Sequence, residues 1–90
     1  MTEAEARDAI LNALVSSKIL AADRQMELGR KPGSDVELAA LGIDSMAVIN
    51  LCVALEETLH RDVEIEELIE HPSLNQLARH IAARSLEGLS

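Results

Sequence analysis

Leu41-Gly42-Ile43-Asp44-Ser45-Met46 is the stretch whose residue types and spacing suit chemistry. A glycine turn and an aspartate precede a serine, and Ala47 to Leu59 continues as a helical pattern. A helix N-terminus offers unpaired N–H groups and the positive end of the helix dipole. A phosphate esterified to Ser45 would sit in a favourable field there. Three roles compete for such a hydroxyl: an attachment point, a nucleophile or a helix cap. A nucleophile elbow needs glycine two residues after the serine, and Ala47 stands there instead. No sequence feature singles out His60, His71 or His80 as a base. A chain of 90 residues also has little room for a substrate pocket and an oxyanion hole. The chain is therefore read as non-catalytic. Serine is a preferred N-cap in any case, so the rival reading is a helical interaction module in which Ser45 merely caps.

The remaining reactive residues point to structure. Cys52 shares a helical stripe with Val48 and Leu55, which marks an inert buried thiol. One cysteine excludes an internal disulfide, as expected of a cytoplasmic protein. The histidines lack metal-site spacing on one face, so no metal is expected. His60 and His71 are placed at the surface, flanking an acidic region.

The elements that must hold Ser45 read as helices. Thr2 with Glu5 forms a capping box, and Ile10, Leu11, Leu14, Val15 and Ile19 follow helical spacing, giving a first helix over about 3–20. From Ala21 to Asp44 the pattern fails, with Gly29, Pro32, Gly33 and Ser34 as breakers. This long first loop is expected to be pinned by Met26, Leu28, Val36, Leu38 and Leu41. Ser34 with Glu37 would cap a short turn near 35–40, and the tip over 29–34 would be the mobile part. The second helix spans about 45–59. Val48, Leu51, Cys52, Leu55 and Leu59 make its core face, while Met46, Ile49 and Val53 fall on another side among acidic residues. That trio is either a docking stripe or part of a wide buried one. A short helix over 65–70 points Ile65, Leu68 and Ile69 inward and is ended by Pro72. Ser73 with Gln76 caps a last helix over 73–85, with Leu74, Leu77, Ala78, Ile81 and Ala82 inward and Gly88 beyond its end. The expected fold is all-α: a small bundle of three main helices plus one short helix, in a single domain over 1–90.

Composition narrows the partners. Apolar residues make up 48% of the chain and Phe, Tyr and Trp none, so the core is aliphatic and none of these rings is present to stack on bases. The formal net charge of −8 argues against nucleic acid and anionic membranes. Asp44, Glu56, Glu57, Asp62, Glu64, Glu66, Glu67 and Glu70 face only Arg61 between residues 44 and 71. A solvated face is the bland reading; clustering after Ser45 points to a docking face for basic partners. Nothing resembles a signal peptide or a membrane span.

Leu41-Gly42-Ile43-Asp44-Ser45-Met46, Ala54-Leu55-Glu56-Glu57, His71-Pro72-Ser73-Leu74 and Leu77-Ala78 together resemble an acyl carrier protein or a related peptidyl or aminoacyl carrier, over about residues 6–83. The resemblance implies a 4′-phosphopantetheine arm on Ser45, installed from coenzyme A by a phosphopantetheinyl transferase with Mg2+ at that enzyme. It implies that Asp44 helps position the modifying machinery. It implies partner binding through Met46, Ile49, Val53, Glu56 and Glu57, on ligases, synthases or transferases with basic patches. Ala47 and Asn50 stand where fatty-acid carriers usually place acids, and the His71-Pro72-Ser73-Leu74 run resembles carriers of polyketide and nonribosomal peptide pathways. The implied protein is a monomeric, stand-alone carrier of thioester-linked intermediates in specialised metabolism. An aminoacyl carrier and a fatty-acid carrier are the alternatives.

Overall fold

A computed structural model describes residues 2–31, 33–60 and 62–88, with side chains through residue 84; Pro32 and Arg61 lie outside the described residues. The fold is all-α. Helices α1 (Glu3–Ser16), α2 (Ala22–Arg30), α3 (Ser45–Leu59), α4 (Ile65–Glu70) and α5 (Leu74–Gly88) follow in order, with a 3-10 turn at Leu38–Leu41 between α2 and α3.

α1 starts as its capping box predicts. Thr2 Oγ1 accepts the Glu5 N–H at 3.1 Å, and Glu5 Oε1 accepts the Thr2 N–H at 3.0 Å. It ends at Ser16, four residues earlier than the apolar spacing suggests. Lys18 turns into the left-handed region at φ 61°, the Lys18 N–H bonds Val15 O, and the Ile19 N–H bonds Leu14 O at 2.9 Å. That pair of bonds is a Schellman cap, with lysine at the position that glycine usually takes. Ile19 and Leu20 keep their helical spacing but reach the core by folding back over the cap, Leu20 being buried.

α2 lies where a loop was expected. It has no side-chain cap, contains Gly29, and buries Leu28 alone, so no apolar period announces it. Tertiary contacts hold it, Leu28 in the core and Gln25 Nε2 on Asn12 Oδ1, while the exposed Arg24–Glu27 pair at 3.0 Å spans one turn within the helix. Met26 is 56% exposed and pins nothing, whereas Leu28 and Leu38 are buried and Val36 and Leu41 pack against the core. The segment after α2 is also tied down rather than free. The buried Arg7 guanidinium donates to the carbonyls of Leu28, Lys31 and Ser34 and to Asn75 Oδ1. Ser34 Oγ donates to Lys31 O, and no side chain caps the 3-10 turn, whose N-terminal flank is Glu37. An isolated bridge between Glu37 and Ser73 joins this segment to the start of α5, through Leu38 N–H on Pro72 O and Leu74 N–H on Val36 O.

Ile10, Leu11 and Leu14 of α1, Leu51 and Leu55 of α3, and Leu74, Leu77 and Ile81 of α5 form the fully buried centre. Ser73 Oγ accepts the Gln76 N–H at 3.2 Å, capping α5 as expected. α5 runs through Gly88 rather than ending at 85, because Ser-Leu-Glu offers no stop and one glycine costs only about 1 kcal/mol. Leu55→Ala should cost about 2–5 kcal/mol, the range for a truncated core leucine. A urea titration showing less than about 1 kcal/mol would place Leu55 outside the core.

α4 departs from its expected orientation. Leu68 is buried, but Ile65 and Ile69 are 38% and 68% exposed. Fewer than two turns of helix bury one narrow stripe, and Glu67 shares it with Leu68. Burial pushes the Glu67 carboxyl up; the Glu64 N–H, Arg84 and His80 outweigh it and hold the group down at about 2, against an ordinary 4.5. A carboxyl lowered on folding stabilises the fold above its unfolded value. That contribution, about 3 kcal/mol, is lost as pH falls from 4.5 towards 2. Unfolding midpoints at pH 6 and pH 3 should therefore lie further apart for the wild type than for Glu67→Gln; equal pH slopes would contradict the buried clamp.

Candidate functional site

The 3-10 turn closes at Gly42, whose N–H bonds Ala39 O and whose φ is 72°. A side chain there would be strained by its own backbone, since this left-handed region favours glycine. The turn aims the chain so that Ile43 packs on the core and Asp44 takes an extended conformation before α3. Asp44 Oδ1 accepts the Ala47 N–H at 2.8 Å, and its carbonyl accepts the Val48 N–H at 3.0 Å. Asp44 is thus the N-cap, and Ser45 is the first residue inside the helix.

This answers the capping alternative. The cap is an aspartate, so the exposed Ser45 hydroxyl has no capping task. At the first helical position its N–H and that of Met46 lie outside the α3 ladder, at the positive end of a 15-residue helix. An exposed primary hydroxyl in that field fits a phosphodiester-linked group. Among the described residues, no histidine is hydrogen-bonded to it, and His80 is bonded to Glu67.

The faces of α3 separate cleanly. Leu51, Cys52 and Leu55 are buried, with Val48 and Leu59 packed against the core. Met46, Ile49 and Val53 are 67%, 46% and 48% exposed, so the second apolar stripe is a surface feature, not part of a wide buried one. Ile65 and Ile69 of α4 add to the exposed aliphatic surface. Glu57 is exposed, whereas the half-buried Glu56 uses its carboxylate to accept the Val63 N–H at 3.2 Å. Burial raises the Cys52 thiol pKa, with Glu56, Glu67 and Glu66 adding to the rise. No group of three or more His, Cys, Asp and Glu is placed to hold a metal ion among the described residues.

An apolar cleft of about 180 Å³ is lined by Leu38 and Ala39 of the 3-10 turn, Ile43, Val48, Leu51, Leu68, Ile69 and Pro72. Its lining residues Ile43 and Val48 bracket Ser45 in sequence.

Two polar centres escape the sequence reading. Arg7 recurs on the stripe of Ile10, Leu11 and Leu14, and that register is the only hint of its burial. Glu67, His80, Arg84 and His71 come together from α4 and α5, with the two histidine rings stacked at 4.1 Å. His71 is therefore half-buried rather than a surface flank of the acidic region.

Among the described residues no helix is long and apolar enough to cross a membrane. No curated protein and no solved structure gives a match to the chain. A family model described as "Phosphopantetheine attachment site" matches residues 25–81, from α2 through the first half of α5. The match runs over more than half of its length, so the chain belongs to this family of phosphopantetheine-attachment domains, helical carriers that bear a covalently attached 4′-phosphopantetheine.

Proposed function

We propose that Ser45 Oγ is the attachment point of the 4′-phosphopantetheine arm and that the chain is a non-catalytic acyl carrier. The observation that carries this reading is the division of labour at the start of α3, with Asp44 capping and Ser45 exposed and unused. When bound, the arm supplies a terminal thiol that holds cargo as a thioester. The chain's own part is to present the hydroxyl to a phosphopantetheinyl transferase, to keep the arm's root in the field of α3, and to be recognised by successive enzymes. A tethered arm raises the local concentration of its cargo at each docked enzyme. Labelling with a fluorescent coenzyme A analogue and a promiscuous transferase tests this, the expected result being one label per chain on the peptide containing Ser45.

Met46, Ile49, Val53 and Glu57 form the docking face for basic patches on loading ligases, synthases or transferases. Glu56 belongs with them by position, but its carboxylate also ties α3 to Val63. Electrostatic docking of this kind is salt-sensitive and fast to release, which suits a protein that visits several enzymes. Met46→Ala with Glu57→Lys should lower kcat/KM of a partner enzyme about fivefold or more, as for a modest interface hot spot. Both side chains are exposed, so the melting temperature should hold; unchanged kinetics, or a large loss of stability, would count against the docking face.

The cleft supports an aliphatic acyl cargo over an amino acid, because every side chain lining it is apolar. The His71-Pro72-Ser73-Leu74 run and the modest acidity of α3 favour a polyketide or nonribosomal peptide pathway over fatty-acid synthesis.

A further inference from the structure

α4 is a six-residue helix, too short to persist without tertiary support. Apolar burial anchors it chiefly through Leu68, since Ile65 and Ile69 are exposed. Its other anchor is polar. Glu67 Oε2 accepts the Glu64 N–H at 2.8 Å, which closes the N-terminal end of the helix. Glu67 Oε1 accepts from Arg84 and lies 2.9 Å from His80 Nε2, both on α5. The His80 ring in turn stacks on that of His71, the residue at the C-terminal end of α4. One buried carboxylate thus links both ends of α4 to α5.

The adjoining side of α4 bounds the apolar cleft. Leu68 and Ile69 face Leu38, Ile43, Val48 and Leu51 across about 180 Å³. A dry cavity of about 150 Å³ accommodates benzene, so this cleft has room for about six to eight carbon atoms. Neighbouring residues along α4 therefore serve two ends, Glu67 reaching α5 while Leu68 and Ile69 bound the cleft.

We infer that Glu67, acting through His80 and Arg84, is a positioning residue that holds α4 as the movable wall of the cleft and so sets how far an aliphatic group carried at Ser45 is shielded from water. The inference rests on the acyl-cargo reading above. Without the clamp, Leu68 alone retains α4, and local opening becomes the accessible motion. The shielded carbons then meet solvent while the rest of the bundle stays intact.

The test uses the full chain carrying the arm, charged with an acetyl or an octanoyl group. Two quantities are read: the rate at which a small external thiol cleaves each thioester, and amide exchange over residues 65–70. In the wild type the octanoyl ester should be cleaved about fivefold more slowly than the acetyl ester. Glu67→Gln should bring the two rates together, leave the acetyl rate unchanged and speed exchange in α4. Arg84→Met and His80→Phe each remove one arm of the clamp and should give intermediate ratios, which keeps the test open should Glu67→Gln fold poorly. Ile10→Ala weakens the core from α1, which packs chiefly on α2, α3 and α5, and should leave the ratio at its wild-type value. Equal acetyl and octanoyl rates in the wild type would overturn the cargo reading and this inference with it. A protected octanoyl ester in the wild type that stays equally protected in Glu67→Gln and Arg84→Met would overturn the clamp alone. A loss of protection in Ile10→Ala as large as in Glu67→Gln would reduce Glu67 to a general stabiliser.

Discussion

Ser45→Ala should abolish attachment of the arm completely and leave the fold untouched, with a stability change within about 0.5 kcal/mol, as for other exposed surface positions. Both halves follow from the cap geometry. The hydroxyl is the group that a transferase would esterify, so its removal leaves no site. It accepts none of the N–H groups that start α3, because Asp44 accepts that of Ala47 and supplies the carbonyl for Val48. Asp44→Ala should behave in the opposite way, costing about 0.5–2 kcal/mol as a lost N-cap while retaining the hydroxyl. Paired thermal melts and transferase labelling of the two variants make the comparison. A destabilised Ser45→Ala beside a fully stable Asp44→Ala would mean that the serine is the cap, and the attachment reading would lose its main support.

Arg7→Ala should be among the most damaging single changes, at about 3–5 kcal/mol. The guanidinium is buried and donates to three backbone carbonyls and to Asn75 Oδ1. Hydrogen bonds from a charged donor contribute about 1.5–3 kcal/mol each, and acceptors left buried without a partner add their desolvation cost. Lysine would not rescue it, since one ammonium cannot span α2, the segment after it and α5 at once. The consequence reaches the site. That segment leads into the 3-10 turn and Gly42, so loosening it blurs the path of the chain into Asp44 and Ser45. Amide exchange over residues 22–41 should accelerate more than exchange in α3 or α5. A loss below about 1 kcal/mol in urea unfolding would show that solvent replaces these bonds at little cost.

The parts legible in the sequence are those in which local chemistry and tertiary packing agree. Thr2 with Glu5, Ser73 ahead of Leu74, and the Gly42-to-Ser45 turn all mark boundaries that the structure keeps. The core stripe of α3 was equally readable, because Leu51, Cys52 and Leu55 recur at helical spacing with no competing partner. Failures came where a tertiary contact overrode a local signal. Lys18 closes α1 in a conformation that glycine usually marks, so the spacing of Ile19 reads as a continuing helix. α2 carries a single buried residue and no side-chain cap, leaving no period to detect. Ile69 is exposed while Glu67 is buried, because α5 supplies His80 and Arg84 to a carboxylate that hydropathy alone would send to water. Whether Met46, Ile49 and Val53 face a core or a partner depends on how far neighbouring helices reach. Only the assembled bundle decides that, and it leaves all three exposed.

The most direct measurement is intact-protein mass spectrometry on the chain isolated from its own cell, followed by mapping of any added mass to a peptide. The account predicts one phosphopantetheinyl group per chain, on Ser45, with part of the population heavier still by a bound acyl group. Material that never carries the group, and that cognate and promiscuous transferases alike leave unmodified, would contradict it.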